Sequence, residues 1–150
     1  MPRPLGLVLE RRGIGRFRIV QKAKLDDRGD VYRADNARPA DWVMLGTHDT
    51  PSIWAVVQGM SAKQRAQWAE HLGRALRLPD TARTAMRFDP GLLANAMLAE
   101  VFASRAENVM MFFADNFGLN ERYNMPGTVS PDNWSLRLPS SFEQLYEKRL

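Results

Sequence analysis

The chain has 150 residues, of which 45% are apolar and 25% charged, and its formal net charge is +4. That is one globular domain or a piece of a larger one, and it excludes a disordered chain. With no cysteine and only His48 and His71 as histidines, disulfides and thiolate chemistry are excluded and a structural zinc site is not expected.

The positive charge is concentrated at the start. Residues 1–28 hold eight basic side chains (Arg3, Arg11, Arg12, Arg16, Arg18, Lys22, Lys24 and Arg28) against three acidic ones, leaving 13 basic and 14 acidic in the rest. Such a segment can attract phosphate backbones, but as a rule it is a solvated face or the partner of an acidic surface. No recognised reader motif accompanies it, so no nucleic-acid partner is expected. The opening "MPRPLGLVLERRGIGRF" has a short apolar patch followed by arginines and no small-residue cleavage site, which reads as no signal peptide. No run approaches the roughly 18 apolar residues of a bilayer span, so no membrane partner is expected, and a cytoplasmic location fits the lack of cysteine.

Phe17–Val20 reads as a strand, set between Gly13 and Gly15 and the turn-rich "KLDDRGD". "GIGRFR" lacks the third glycine of a dinucleotide fingerprint. Residues 24–41 read as a long loop with at most a short helical turn. Trp42–Leu45 is a second strand, apolar on both faces, as in a parallel sheet covered by helices on both sides. Next comes "GTHDTP", which sets His48 beside Asp49 where that strand stops. A His-Asp pair there is either a solvated turn or a cluster that holds a polar substrate.

Pro51 suits the first turn of a helix over "SIWAVVQGM". Ser61 and Gln64 have capping-box spacing and open a stronger helix, with Trp68, Leu72, Ala75 and Leu76 as its buried face. "LPDTART" breaks it at Pro79. Asp89-Pro90 opens another helix to about Ala106, with Leu92, Leu93, Ala96, Met97 and Val101 as its apolar stripe. Val109–Phe113 reads as a third strand, and the eight methionines as core filler. Ser140 and Glu143 have capping-box spacing at the head of a final helix. Strands alternating with helices predict an α/β fold of βαβ units.

Residues 120–138, "NERYNMPGTVSPDNWSLRL", are too rich in Asn, Pro and Gly for regular structure. Pro126-Gly127 suits a type II turn, which needs positive φ at its glycine. Arg122, Tyr123, Asn124, Asn133, Trp134 and Arg137 offer donors, acceptors and an aromatic face together, a mix that suits sugars. A loop pinned by its own hydrogen bonds fits the same residues equally well.

"GTHDTPSIW" followed at a distance by "FGLNERYNMPGTVSPDNWSLRL" resembles the C-terminal part of the 4-α-glucanotransferases, the amylomaltases and disproportionating enzymes. That family carries a THD element after the seventh strand of its catalytic (β/α)₈ barrel and an R-x-N-x-PGT…NW…R element after the eighth. The resemblance runs from about Gly15 onwards. It implies a partial (β/α)₈ TIM barrel, approximately the sixth to eighth βα units, with residues 1–150 an incomplete domain. It makes Asp49 the third carboxylate of the catalytic site, His48 and Asn124 sugar contacts, and Arg122 and Trp134 supports of the loop. The implied activity is retaining transfer of α-1,4-glucan segments between maltooligosaccharides, with no metal or organic cofactor.

The same resemblance places the nucleophile and the acid/base, about 5–5.5 Å apart in a retaining enzyme, on the fourth and fifth strands, upstream of this chain. Asp26, Asp27, Asp30, Asp35 and Asp41 fall in loops, match no such element and are expected to be solvated. The implied partners are therefore α-1,4-glucans and the remainder of the catalytic barrel. Three strands of eight cannot close a barrel, so the chain alone is expected to be inactive and to associate through exposed strand edges. The alternative is a non-catalytic remnant that binds glucan or docks onto a partner fragment.

Overall fold

The computed structural model describes residues 3–137 and 141–149. Three short strands, β1 (Phe17–Ile19), β2 (Trp42–Met44) and β3 (Asn108–Val109), form one parallel sheet in that order. Phe17 sits opposite Trp42, Ile19 opposite Met44, and Trp42 opposite Asn108. The fold is α/β, as the alternation of elements predicts.

Seven α-helices accompany the sheet among the described residues: α1 (Arg3–Arg11), α2 (Ile53–Gly59), α3 (Ala62–Ala75), α4 (Asp80–Phe88), α5 (Pro90–Ala103), α6 (Phe113–Phe117) and α7 (Phe142–Arg149). Helix α3 starts at the expected capping box: the Gln64 N–H donates to Ser61 Oγ at 3.3 Å, and the Ser61 N–H to Gln64 Oε1 at 2.9 Å. Asp89 caps α5 by accepting from the N–H groups of Gly91 and Leu92, with Pro90 in the first turn, where its missing N–H costs nothing. The proposed capping residue Ser140 lies outside the described residues.

The core joins Val20, Val43 and Leu45 of the sheet region to Ile53, Val57, Trp68, Leu72, Leu93, Met97 and Val101 of the helices. Each such side chain contributes roughly 1.5–3 kcal/mol on burial, so the helical layer rather than the short strands carries most of the stability. Among the described residues, the helices pack against one face of the sheet. Phe17 is 63% exposed and Trp42 39%, and their rings lie 6.5 Å apart on the open face. The expectation of helices on both sides of Trp42–Leu45 is therefore corrected.

Several expected boundaries also shift. Val20 leaves the first strand to begin a 3₁₀ turn, Val20–Lys22. The third strand spans two residues, not Val109–Phe113, because Phe113 starts α6; its ladder is extended by the Met110 N–H donating to the Val43 carbonyl at 3.0 Å. Helix α5 stops at Ala103. It buries Leu93, Ala94, Met97, Leu98 and Val101, while Leu92 of the expected stripe lies on an exposed face with Asn95, Ala99 and Phe102. Ala75 is likewise exposed, because α3 turns its Trp68, Ala69, His71, Leu72 and Gly73 inward. Helix α3 ends at Ala75, before Pro79, where Arg77 takes a φ of +54° and the Leu78 N–H bonds the Gly73 carbonyl; Pro79 instead stands at the N-cap of α4. Met86 and Met97 fill the core and Met44 is buried on the other face of the sheet, whereas Met110 and Met125 are exposed.

The connection from β1 to β2 contains no α-helix, and a buried ion pair replaces the missing packing. Asp41 is fully buried, contrary to the expected solvated residue, and accepts from Arg18 Nε at 2.7 Å and from the N–H groups of Arg16 and Arg38 at 2.9 Å each. Burial disfavours its ionised form, but these donors outweigh burial and hold its carboxyl below the usual carboxylate range. Arg18 also donates to the Val31 carbonyl at 2.7 Å, tying the 24–41 loop to the sheet. Asp26, Asp27 and Asp35 are exposed, as expected, and Asp30 is half-buried. No helix among the described residues is long and apolar enough to cross a membrane.

Candidate functional site

The chain leaves β2 through Gly46, which is buried against Thr50, Gln21 and Asp115. A Cβ at Gly46 would stand 2.7 Å from Thr50 Oγ1, closer than carbon and oxygen pack, so the turn requires glycine. Thr47 and Thr50 then close a tight turn. The Thr47 N–H donates to Thr50 Oγ1 at 2.8 Å, and the Thr50 N–H donates to the Thr47 carbonyl at 3.0 Å. The Asp49 N–H bonds Thr47 Oγ1 at 3.2 Å. These bonds occupy the turn's backbone groups and turn the side chains of His48 and Asp49 outward, about half exposed, with Nε2 and Oδ1 3.4 Å apart.

The loop after α6 folds over this turn. Asn124 Nδ2 donates to Asp49 Oδ1 at 2.5 Å, and Arg122 donates to the Asp49 carbonyl at 3.3 Å. The Trp134 ring lies 4.8 Å from the His48 ring. Asn133 holds the loop in shape by accepting from the Met125 N–H and donating to the Thr128 carbonyl, both at 3.1 Å. Gly127 has φ of +78°, and the Thr128 N–H bonds the Met125 carbonyl, as a type II turn at Pro126-Gly127 requires. Trp134 also takes a left-handed φ of +64°, which costs a non-glycine residue energy. Its N–H donates to the Tyr123 carbonyl at 2.8 Å. All five residues singled out from sequence thus stand together: Asp49, His48 and Asn124, with Arg122 and Trp134 against them.

Below the turn, on the open face of the sheet, a cavity of about 450 Å³ is lined by Phe17, Ile19, Met44, Met110 and Phe112, with Thr47 and His48 at its polar edge. An apolar wall beside hydroxyl and imidazole donors can hold a ring that has both apolar faces and polar edges.

Asp115 was not read from sequence. It is buried on α6, accepts from the Ile53 N–H at 2.6 Å, packs against Gly46, and leaves Oδ2 without a partner. Burial pushes its carboxyl up to about 6, against the pull of the Ile53 N–H. The signal was an acidic residue inside "FFADNFGL", but reading Val109–Phe113 as a strand ended the element just before it. Among the described residues, no group of three His, Asp or Glu side chains is placed to hold a metal ion.

The sequence model described as 4-alpha-glucanotransferase matches residues 2–143. No curated protein sequence matches the chain. Among solved structures, an amylomaltase from Streptococcus agalactiae in complex with acarbose is similar, with a TM-score of 0.76 and 22% identity. The match covers 99% of this chain and 28% of the amylomaltase, so the chain spans less than a third of that protein. At that identity the likeness concerns the fold: helices around a small parallel sheet.

Proposed function

The chain belongs to the 4-alpha-glucanotransferase family, and on that premise we propose that it supplies the C-terminal glucan-binding end of a retaining 4-α-glucanotransferase. In this reading residues 1–150 are approximately the sixth to eighth βα units of a (β/α)₈ barrel, and the nucleophile and acid/base come from barrel units outside this chain. The observation that carries the reading is the 2.5 Å bond from Asn124 to Asp49, which joins two motif segments 75 residues apart beyond the ends of β2 and β3. Barrel enzymes keep their chemistry at that end of the strands.

The chemistry follows from the charge that the reaction develops. Breaking a glycosidic bond flattens the sugar ring and builds positive charge on it. Asp49, fixed through Oδ1 by Asn124, presents Oδ2 to hydroxyls of that ring and favours the flattened form. His48, packed on Trp134, offers a ring nitrogen to the same sugar, and Asn124 offers its amide. Arg122 and Trp134 support the loop rather than touch the reacting bond. The acarbose in the amylomaltase complex supports a glucan-like ligand here. No metal or organic cofactor enters this scheme.

A second reading, a non-catalytic glucan-binding or docking remnant, is favoured by the open apolar face around Phe17, Trp42 and Met110. The transferase reading has that face covered by further strands of the barrel, whereas the remnant reading leaves it open to glucan or a partner fragment. Mixing the chain with a separately produced polypeptide that carries the first five βα units of a family barrel separates them. Disproportionation of maltotriose in the mixture alone, lost with Asp49→Asn, supports the transferase. Acarbose binding by the chain with every mixture inactive supports the remnant.

A further inference from the structure

We propose that Asp115 is a positioning residue: its buried carboxylate bonds the exit of the loop from Gly46 to Ile53, packs against its entry, and so sets where His48 and Asp49 stand. The Ile53 N–H at the loop's exit donates to Asp115 Oδ1 at 2.6 Å, and the other carboxylate oxygen lies against Gly46 at its entry. The grip extends further, because Trp54 Nε1 donates to the Asp115 backbone carbonyl at 2.8 Å. Asp115 is 1% exposed and its side-chain hydrogen bond goes to Ile53 rather than to His48 or Asp49, so its contribution to the site passes through the loop. Gly46 leaves room for it: Asp115 Oδ2 lies 3.3 Å from where a Cβ at Gly46 would be.

Asp115 lies on α6, the element that leads into the Asn124 loop. One residue thus fixes the β2 loop from below, while the segment that follows it bonds Asp49 from above. The two halves of the site are held in register by neighbours in sequence. That the loop then meets a glucan rests on the function proposed above.

The test compares the intact chain with Asp115→Asn and Asp115→Ala by amide NMR at neutral pH, with and without acarbose. Asn keeps the size and one acceptor, so it reports on the charge even if Ala fails to fold. The Val43 and Val109 amides of the sheet serve as the folding control. The expected result is a displacement of the Gly46, Ile53, His48 and Asp49 amides with the sheet unchanged, and acarbose affinity lowered about tenfold. A role confined to stability would leave those four amides in place in a folded variant. That outcome overturns the proposal, as does displacement of Gly46 and Ile53 with His48, Asp49 and the affinity unchanged. If the wild-type chain does not bind acarbose, the glucan reading fails, and displaced His48 and Asp49 amides still establish the positioning role.

Discussion

Asn124 and Asp49 lie 75 positions apart in the chain, yet the Asn124 amide donates to the Asp49 carboxylate at 2.5 Å. A hydrogen bond to a charged group contributes about 1.5–3 kcal/mol. Here it orients a half-exposed carboxylate that would otherwise sample several rotamers. We predict that Asn124→Ala weakens acarbose binding by about tenfold, because Asp49 loses its orientation and the sugar loses a donor. Asp49→Asn should weaken it at least as much. Titration calorimetry measures both, and an Asn124→Ala affinity equal to wild type would remove the bond from the site.

The buried Arg18–Asp41 pair makes a separate prediction about stability. Asp41→Ala would strand the Arg18 guanidinium at 6% exposure and leave the N–H groups of Arg16 and Arg38 without their acceptor. Removing one partner of a buried pair typically costs about 3–5 kcal/mol, and urea unfolding should read a loss of that order. A loss within the range of surface substitutions, about 0.5 kcal/mol, would show that the loop repacks around the arginine.

His71 and Glu100 join α3 to α5 through a buried contact of 2.5 Å, with the His71 ring edge-on to Trp68 at 5.7 Å. Glu100 Oε2 has no hydrogen-bond partner, so this carboxylate depends on His71. His71→Ala should therefore destabilise by about 3 kcal/mol or more, whereas Glu100→Gln, which removes the buried charge and retains an amide facing His71, should cost less. Chemical unfolding of the two variants and their double mutant gives the coupling. The reverse order of severity would contradict a charge-based account.

Local signals in the sequence were easier to read than those that depend on distant partners. Asp49, His48 and Asn124 were singled out through the resemblance of "GTHDTPSIW" and "NERYNMPGT" to family motifs, and the structure sets them side by side. The caps of α3 and α5 were legible because Ser61, Gln64, Asp89 and Pro90 act on backbone groups a few residues away. What stayed hidden depends on distant partners. Asp41 reads as a loop carboxylate until Arg18 is brought to it from 23 positions away. Asp115 reads as a surface aspartate until α6 turns it beneath Gly46. Helix α4 was missed because Pro79 signals an ending and an N-terminus equally. The helix over Arg3–Arg11 was missed because Pro4 and Gly6 weaken a helical reading and its apolar run was weighed only as a targeting signal.

Asp115 gives the site a pH dependence whose sign is opposite to that of an ion-paired carboxylate. An unperturbed aspartate releases its proton near 3.8, whereas burial keeps the folded-state carboxyl protonated up to about 6. Between those values the folded chain holds a proton that the unfolded chain has lost, so the stability contributed by this group falls as pH rises through the window. The full difference corresponds to about 3 kcal/mol, present as a penalty above pH 6 and absent below pH 4. Asp41 and Asp35, whose carboxyls lie below the usual range, act with the other sign at lower pH: their stabilising contribution is complete above about 3.8 and is lost as pH falls through their folded-state values. We predict that urea unfolding of wild type, compared with Asp115→Asn at pH 4.5 and at pH 7, shows a stability difference between the two proteins that shifts towards the variant as pH rises. The comparison needs only that shift, because the hydrogen bonds that Asn makes less well contribute equally at both pH values. Parallel pH profiles for the two proteins would mean that the carboxyl titrates alike in the folded and unfolded chain, and that water reaches it beneath Gly46.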